Sequence, residues 1–427
     1  IAADDDRGHL LREALVNGEF DAVATEAEAL PECARRFVKV SERKVITKGP
    51  EAGNRVSKAH FKHCEAPYHD EEFEQVRKGM NQSKRPGLSK LSKRALHFCD
   101  RKFWDACCVL LNVAKENGHQ FKDFKVALIV LLDKIEGDPS LLNKRPIFML
   151  ENLMKMTDKI DETRVQKVFD ELGLPAKGQY GFTKNQSIKI PIFITTQMLE
   201  QANVEKRELR VLFSDYRRAF DAVDRTTGKL LAKMRFGISQ EVALRERQRD
   251  EAIEGEIEIA AGPCSSFTNS LIARAAGWSQ GGARAGAEWL RNIDVNICAH
   301  AEPHKGVPAI YHDEWGNAVE YFGHWYADDP TIFCGDTENV EARVTTDGDW
   351  SHFSGVSIAA HKGHYLINNF DENGKRIETD EHTVYITDCQ TGVSKEIPHL
   401  GVDEPVRTLG HFTACSNATD QSFATEL

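Results

Sequence analysis

Two aspartates stand side by side in the stretch His324-Trp325-Tyr326-Ala327-Asp328-Asp329-Pro330-Thr331-Ile332-Phe333-Cys334. The flanking aromatic and apolar runs read as two strands, and Ala327 to Pro330 as the tip of the hairpin that joins them. Like charges crowded into a turn repel one another, and a divalent cation at the tip relieves that cost most simply. A second run, Leu209-Arg210-Val211-Leu212-Phe213-Ser214-Asp215, alternates Leu209, Val211 and Phe213 with the other face, so it reads as a strand ending on a carboxylate. Asp215, Asp328 and Asp329 together have the hard-oxygen composition that Mg²⁺ accepts, one or two carboxylates per ion with substrate phosphates completing the shell. In a two-metal site of that kind one ion activates an attacking hydroxyl and the other steadies the leaving oxygen. Nucleotidyl transfer is the natural chemistry.

The rest of the chain bounds that reading. At 427 residues it is longer than one hydrophobic core organises, and 41% hydrophobic with 28% charged residues is globular composition, not disordered or membrane-embedded. The longest apolar run, Val126 to Leu132, is far short of the roughly 20 residues of a spanning helix, so no membrane partner is expected. The start at Ile1, followed by Ala2-Ala3-Asp4-Asp5-Asp6, lacks a secretory pattern and reads as a fragment. Ten scattered cysteines with no CxxC pair favour reduced thiols in an intracellular compartment, nuclear or cytoplasmic.

A net charge of -11 argues at first against a nucleic-acid partner, but the acid is concentrated in two segments. Residues 1–32 carry nine acids and two bases, and residues 371–404 carry nine acids and three bases, which leaves the remainder slightly basic. Within it Lys84, Arg85, Lys90, Lys93, Arg94, Arg101 and Lys102 face only Asp100, a patch suited to phosphate contacts or to a solvated helix face.

Periodicity supplies the neighbouring elements. Trp104, Cys107, Cys108, Leu111 and Val113 recur at roughly helical spacing up to Gly118, and Val126 to Leu132 is compact enough for a buried strand followed by a turn at Gly137-Asp138-Pro139. Leu153, Met156, Ile160, Val165, Val168, Phe169 and Leu172 mark an amphipathic helix stopped by Gly173. A further helix is expected from Ser187 through Glu200, and helical segments after Asp215 to about Glu254.

Several motifs stand in a fixed order. Phe213-Ser-Asp215-Tyr-Arg-Arg-Ala219-Phe220-Asp221-Ala-Val223 comes first, then Gly277-Trp-Ser-Gln280-Gly281, then Tyr326-Ala327-Asp328-Asp329. Upstream lie Glu71-Glu72-Phe-Glu-Gln-Val, Lys84-Arg-Pro86-Gly87, Arg145-Pro146-Ile147 and Gln179-Tyr-Gly181-Phe182; downstream lie Phe353-Ser-Gly355 with Lys362, and Leu409-Gly410. This ordered set, spanning about residues 65 to 415, resembles the reverse transcriptases, most closely those of non-LTR retrotransposons.

The resemblance implies an α+β right-hand polymerase. Residues 1–64 would be an N-terminal accessory or linker region, 65–205 the fingers, 206–368 a palm with an antiparallel sheet backed by helices, and 369–427 the palm end and a partial thumb. It implies RNA template, DNA or RNA primer and dNTPs as partners, two Mg²⁺ ions with Mn²⁺ able to substitute, and Asp215 and Asp328 as principal ligands with Asp329 in support. Phe220 would pack under the sugar of the incoming nucleotide. Lys134 and Arg145 would clamp its triphosphate, Arg as a planar fork and Lys as a point charge. Gln280 and Gly281 would line the template and nucleotide side, and Lys362 would give a proton to the departing pyrophosphate.

Some positions depart from the family. Gly282-Ala283-Arg284-Ala285-Gly286-Ala287 replaces a small-residue and Pro-Leu-Ser run, Ser89 and Lys90 replace an aspartate and a glycine, and Thr408 replaces a tyrosine. Pro330 holds Asp329 in extended geometry and removes an N–H, which a hairpin tolerates if that position faces outward. Such changes are compatible with a decayed copy that keeps the fold and an RNA surface, and an RNA-dependent RNA polymerase would use the same carboxylates. His60, His63, Cys64 and His69 match no closed zinc pattern, and no P-loop, nucleophile elbow or HExxH is present.

Overall fold

The computed structural model describes residues 37, 58–83, 85–117, 121, 124, 126–133, 144–173, 178–217, 219–223, 254–259, 262–267, 284–377, 381–388, 391–401, 403–409 and 411–413. Helices and strands are mixed without regular alternation, an α+β arrangement. Ten strands run in chain order as β1 (Val126–Asp133), β2 (Lys144–Met149), β3 (Leu209–Phe213), β4 (Glu254–Ile259), β5 (Gly262–Phe267), β6 (Ile310–His312), β7 (Ala318–Glu320), β8 (Gly323–Tyr326), β9 (Asp329–Cys334) and β10 (His364–Asn368). Further strands after β10 are short, with His399–Leu400 reaching the second sheet. Internal contacts divide the chain into two units. One comprises Ile1–Leu30, Ser41–Leu174 and Phe220–Arg291; the other comprises Pro31–Val40, Pro175–Ala219 and Asn292–Leu427.

In the first unit the sheet order is β2-β1-β4-β5, with β1 and β4 parallel and the other pairs antiparallel. The apolar run Val126 to Leu132 forms β1 as its compactness predicts, and Ala127 and Ile129 bury against Phe148, Leu150 and Met154. The 3.6-residue pattern from Leu153 becomes the helix Asn152–Leu172, closed by Gly173 at φ +61 with its N–H on the Phe169 carbonyl. Helix Arg101–Glu116 starts where the Asp100 carboxylate accepts the Phe103 N–H, and it buries Trp104, Cys107, Cys108 and Leu111. Val113, expected on that stripe, is 52% exposed: two residues past Leu111 it has turned about 200° round the helix axis. Gly118 and the turn at 137–139 lie outside the described residues, as do the helical segments expected over 224–253.

The departures in this unit have local explanations. Arg284 is buried, with its guanidinium 2.7 Å from Glu288 and 3.8 Å from Asp158, and Arg291 lies 2.6 Å from Glu162 on the same buried face. Counter-charges at that range are what a buried guanidinium requires. Ser89 gives both its N–H and its hydroxyl to the Glu151 carboxylate, and Lys90, in a place where the resemblance leads one to expect glycine, sits at φ +59.

In the second unit the strand order is His399–Leu400, β10, β3, β9, β8. The pairs are antiparallel except β10 with the edge strand His399–Leu400, which is parallel. The alternation in β3 marks one apolar face, whereas the structure buries every residue of the strand. Leu209, Val211 and Phe213 pack with Met198, Leu199 and Ala202 and with Phe333 and Leu366 of neighbouring strands. Arg210 is buried too, its guanidinium on Glu208 and on the Tyr365 hydroxyl. The helix expected from Ser187 to Glu200 runs over Lys189–Glu205. Pro191 stands in its first turn, where a helix tolerates proline, no Gly or Pro stops it at Glu200, and its last turn carries Ala202 into this core. Among the described residues, no helix is long and apolar enough to cross a membrane.

Candidate active site

The acidic residues of the second unit are brought together by strand pairing. Phe213 of β3 lies opposite Thr331 of β9, and the Ser214 N–H continues the ladder onto the Pro330 carbonyl at 3.2 Å. Asp215 therefore leaves β3 beside the start of β9, where Asp329 is the first residue. β8 and β9 close with Tyr326 opposite Asp329, so the turn itself is only Ala327 and Asp328. The hairpin predicted at 324–334 is present. Pro330, however, does not face outward: its carbonyl accepts from Ser214, and the N and C=O of one residue point to the same side of an antiparallel strand. Its nitrogen therefore faces β3, and the sheet forgoes one ladder bond at that position.

Lys362 reaches the same place from a different segment. The Ala359 N–H donates to the Asp215 carbonyl and the Arg217 N–H to the Ser357 carbonyl, each at 2.7 Å, with Tyr216 bridged to Ile358. The short 3₁₀ turn Ala360–Lys362 follows and sets the Lys362 Nζ 2.5 Å from Asp215 Oδ2. The Lys362 side chain remains 56% exposed while its ammonium pairs with Asp215.

Electrostatics identifies the group under most pressure. Burial first, then the neighbouring Asp328 and Asp215 charges, push the Asp329 carboxyl up from an ordinary 3.8 to about 7, against the opposing pull of Lys362. All four side chains are thus near enough to act on one another. Among the described residues, no three His, Cys, Asp or Glu side chains are gathered closely enough to form a metal cage by themselves. Hard carboxylate oxygens of this kind fit Mg²⁺, which takes one or two protein carboxylates and leaves the rest of its shell to water and phosphate oxygens.

The turn is held from an unexpected quarter. Gly178 to Tyr180 runs parallel to β8, with the Trp325 N–H on the Gly178 carbonyl at 2.7 Å and the Tyr180 N–H on the Trp325 carbonyl at 2.8 Å. Gln179 is buried there. Its Oε1 accepts from the Gly181 N–H at 2.8 Å and from the Ala327 N–H at 3.1 Å, and its Nε2 donates to the Ala327 carbonyl at 3.4 Å. Ala327 itself adopts φ +58, a left-handed conformation that disfavours any residue with a Cβ. The sequence marks Gln179-Tyr-Gly181-Phe182 as a motif but gives no sign that it grips the acidic turn.

A second group was also invisible in the sequence. Asp347 Oδ1 accepts from Asn296 Nδ2 at 2.8 Å and from the Tyr216 hydroxyl at 3.4 Å, and lies 3.0 Å from His300 Nε2, all of them buried. Burial and the Asp347 charge drive the Tyr216 phenol well above its usual range, so the residue that follows Asp215 stays a neutral donor. Only the pair Asn296 and His300, one turn apart on a helix, hints at a shared buried partner.

The remaining predicted site residues lie in the first unit or outside the described residues. Arg145 is exposed on β2, beside Lys144, whose ammonium lies 2.6 Å from Asp133. Arg85, Lys90 and Arg94 are exposed and Lys93 is half-buried. Phe220 is half-buried and packs on Trp289 with ring centroids 5.4 Å apart. Lys84, Lys134, Gln280 and Gly281 lie outside the described residues. At the zinc alternative, His63 Nε2 lies 3.1 Å from the Arg164 carbonyl and burial pushes the Cys64 thiol up to about 12, an environment that opposes the thiolate a metal needs. No protein-family model matches the chain, and no curated protein matches it.

Proposed function

We propose that the chain is an RNA-directed DNA polymerase domain of the retroelement type, with a right-hand arrangement of fingers, palm and partial thumb. The observation that carries this reading is the meeting of Asp215 with the Asp328-Asp329 turn on adjacent strands, with Lys362 on Asp215. Asp215 and Asp328 would hold Mg²⁺, with Asp329 in support. When bound, the two ions would supply activation of the primer 3′-hydroxyl and neutralisation of the leaving oxygen.

The chain's own contribution is positioning and charge. The β3–β9 ladder fixes the carboxylates relative to one another, and preorganised charge of this kind needs no rearrangement during the reaction. Lys362, ion-paired to Asp215 on a largely exposed side chain, would give a proton to departing pyrophosphate. Arg145 would bind triphosphate oxygens, Phe220 would exclude a ribose 2′-hydroxyl, and Arg85, Lys90, Lys93 and Arg94 would bind backbone phosphates of the template and primer.

Primer extension on poly(rA)/oligo(dT) with Mg²⁺ tests the proposal, comparing wild type with Asp215→Asn. Extension by wild type and its loss in the variant, by 10³-fold or so for an electrostatic group of this kind, is the expected result. RNA binding without extension by the wild type would favour the decayed copy, and equal use of NTPs would favour an RNA-dependent RNA polymerase. Preference for dNTP over NTP in wild type, and loss of that preference in Phe220→Ala, would decide against the RNA-dependent RNA polymerase.

A further inference from the structure

The sequence places Gln179 in a motif without a task, and the catalytic reading above leaves it unused. Its carboxamide makes three hydrogen bonds, and two of them go to the N–H and C=O of one residue, Ala327. That residue opens the turn carrying Asp328 and precedes Asp329 by two positions. The left-handed conformation of Ala327 is unfavourable for a residue with a Cβ and persists only where the surroundings hold it. Gly181 supports the same point from below, since a Cβ there would stand 2.2 Å from the Ala327 nitrogen, so the backbones are in direct contact. A two-residue turn with a strained first residue would otherwise relax, and relaxation would rotate the Asp328 peptide and shift both carboxylates.

We propose that Gln179 is a positioning residue whose carboxamide clamps the Ala327 peptide and so fixes the acidic doublet at metal-binding geometry. The proposal rests on the polymerase reading for its kinetic consequence, but not for its metal-binding one. Gln179→Met keeps the bulk and the burial and removes all three hydrogen bonds. Because a 1 Å displacement of reacting groups costs on the order of 10²-fold, kcat for primer extension should fall by about that factor with little change in KM for dNTP. Mn²⁺ binding to the nucleic-acid-free protein, read by electron paramagnetic resonance, should weaken in parallel.

Ala327→Gly supplies the discriminating arm. Glycine adopts φ +58 without help, so adding this change to Gln179→Met should recover most of the lost Mn²⁺ affinity and kcat. A role in folding alone would instead lower the melting temperature without that recovery. If wild type extends no primer but binds Mn²⁺, the polymerase reading fails while the Mn²⁺ series still tests the clamp. The clamp is overturned if folded Gln179→Met binds Mn²⁺ as wild type does. It is also overturned if Ala327→Gly recovers nothing, in a folded double variant where Gln179→Met has weakened binding, or if wild type binds no Mn²⁺. Should Gln179→Met not fold, Gln179→Asn, whose carboxamide is one methylene shorter and falls short of the Ala327 peptide, takes its place with the same expected rescue and the same refuting results.

Discussion

Gly181→Ala is the sharpest test of how the acidic turn is supported. A methyl built on Gly181 would lie 2.2 Å from the Ala327 nitrogen, 2.8 Å from its Cα and 2.9 Å from its Cβ, where ordinary contact begins at 3.4 Å. None of these atoms is the end of a flexible side chain, so the two backbones must part by roughly 1 Å, an overpacking that costs about 1–3 kcal/mol. The same displacement carries Asp328 and Asp329 with it and predicts a loss near 10²-fold in the chemical step. Thermal unfolding and single-turnover primer extension measure the two effects. Gly348→Ala is the control: nothing lies within 4 Å of the added methyl, and in the interior of helix Thr337–Ser354 alanine should add about 1 kcal/mol of stability without touching the rate. A Gly181→Ala protein that melts and extends primers like wild type would refute the contact and the reasoning built on it.

Two further outcomes follow from groups held away from their preferred states. Asp329 has its folded-state value raised from 3.8 to about 7, so the folded protein binds the extra proton between those values and wild type loses stability as pH rises through them. Asp329→Asn should therefore gain stability over wild type across that interval, by at most roughly 4 kcal/mol above pH 7 and by nothing below pH 4. Urea unfolding in EDTA at several pH values checks this, and a difference independent of pH would refute it. Lys90 is exposed at φ +59, and Lys90→Gly should relieve about 1 kcal/mol of left-handed strain, seen as a higher melting temperature. An unchanged or lower one would mean that the lysine side chain offsets the strain.

What could be read along the chain was what short-range forces decide. Period 3.6 with a terminal glycine gave helix Asn152–Leu172, an apolar run gave β1, and two apolar flanks around Ala327-Asp328-Asp329 gave the β8–β9 hairpin. Each of these depends on residues within a few turns or a few strand positions of one another. The same logic failed where burial is set by distant partners. β3 is covered on both faces, and the strands Glu254–Ile259 and Gly262–Phe267 carried no recognised signal, whereas Val113 was a misread of the local helix period.

By itself, then, the sequence determined that one aspartate would follow a strand and two would sit at a hairpin tip, because alternation and turn chemistry are local. Tertiary structure alone decided their surroundings: Pro330 turned inward against Ser214, Lys362 delivered to Asp215 across 147 residues, and Gln179 reaching Ala327 across 148. The physical reason is that a side-chain amide hydrogen-bonded to a distant backbone leaves no periodic trace. Its partner is a peptide group, which every residue possesses, so only the folded register shows which peptide it holds.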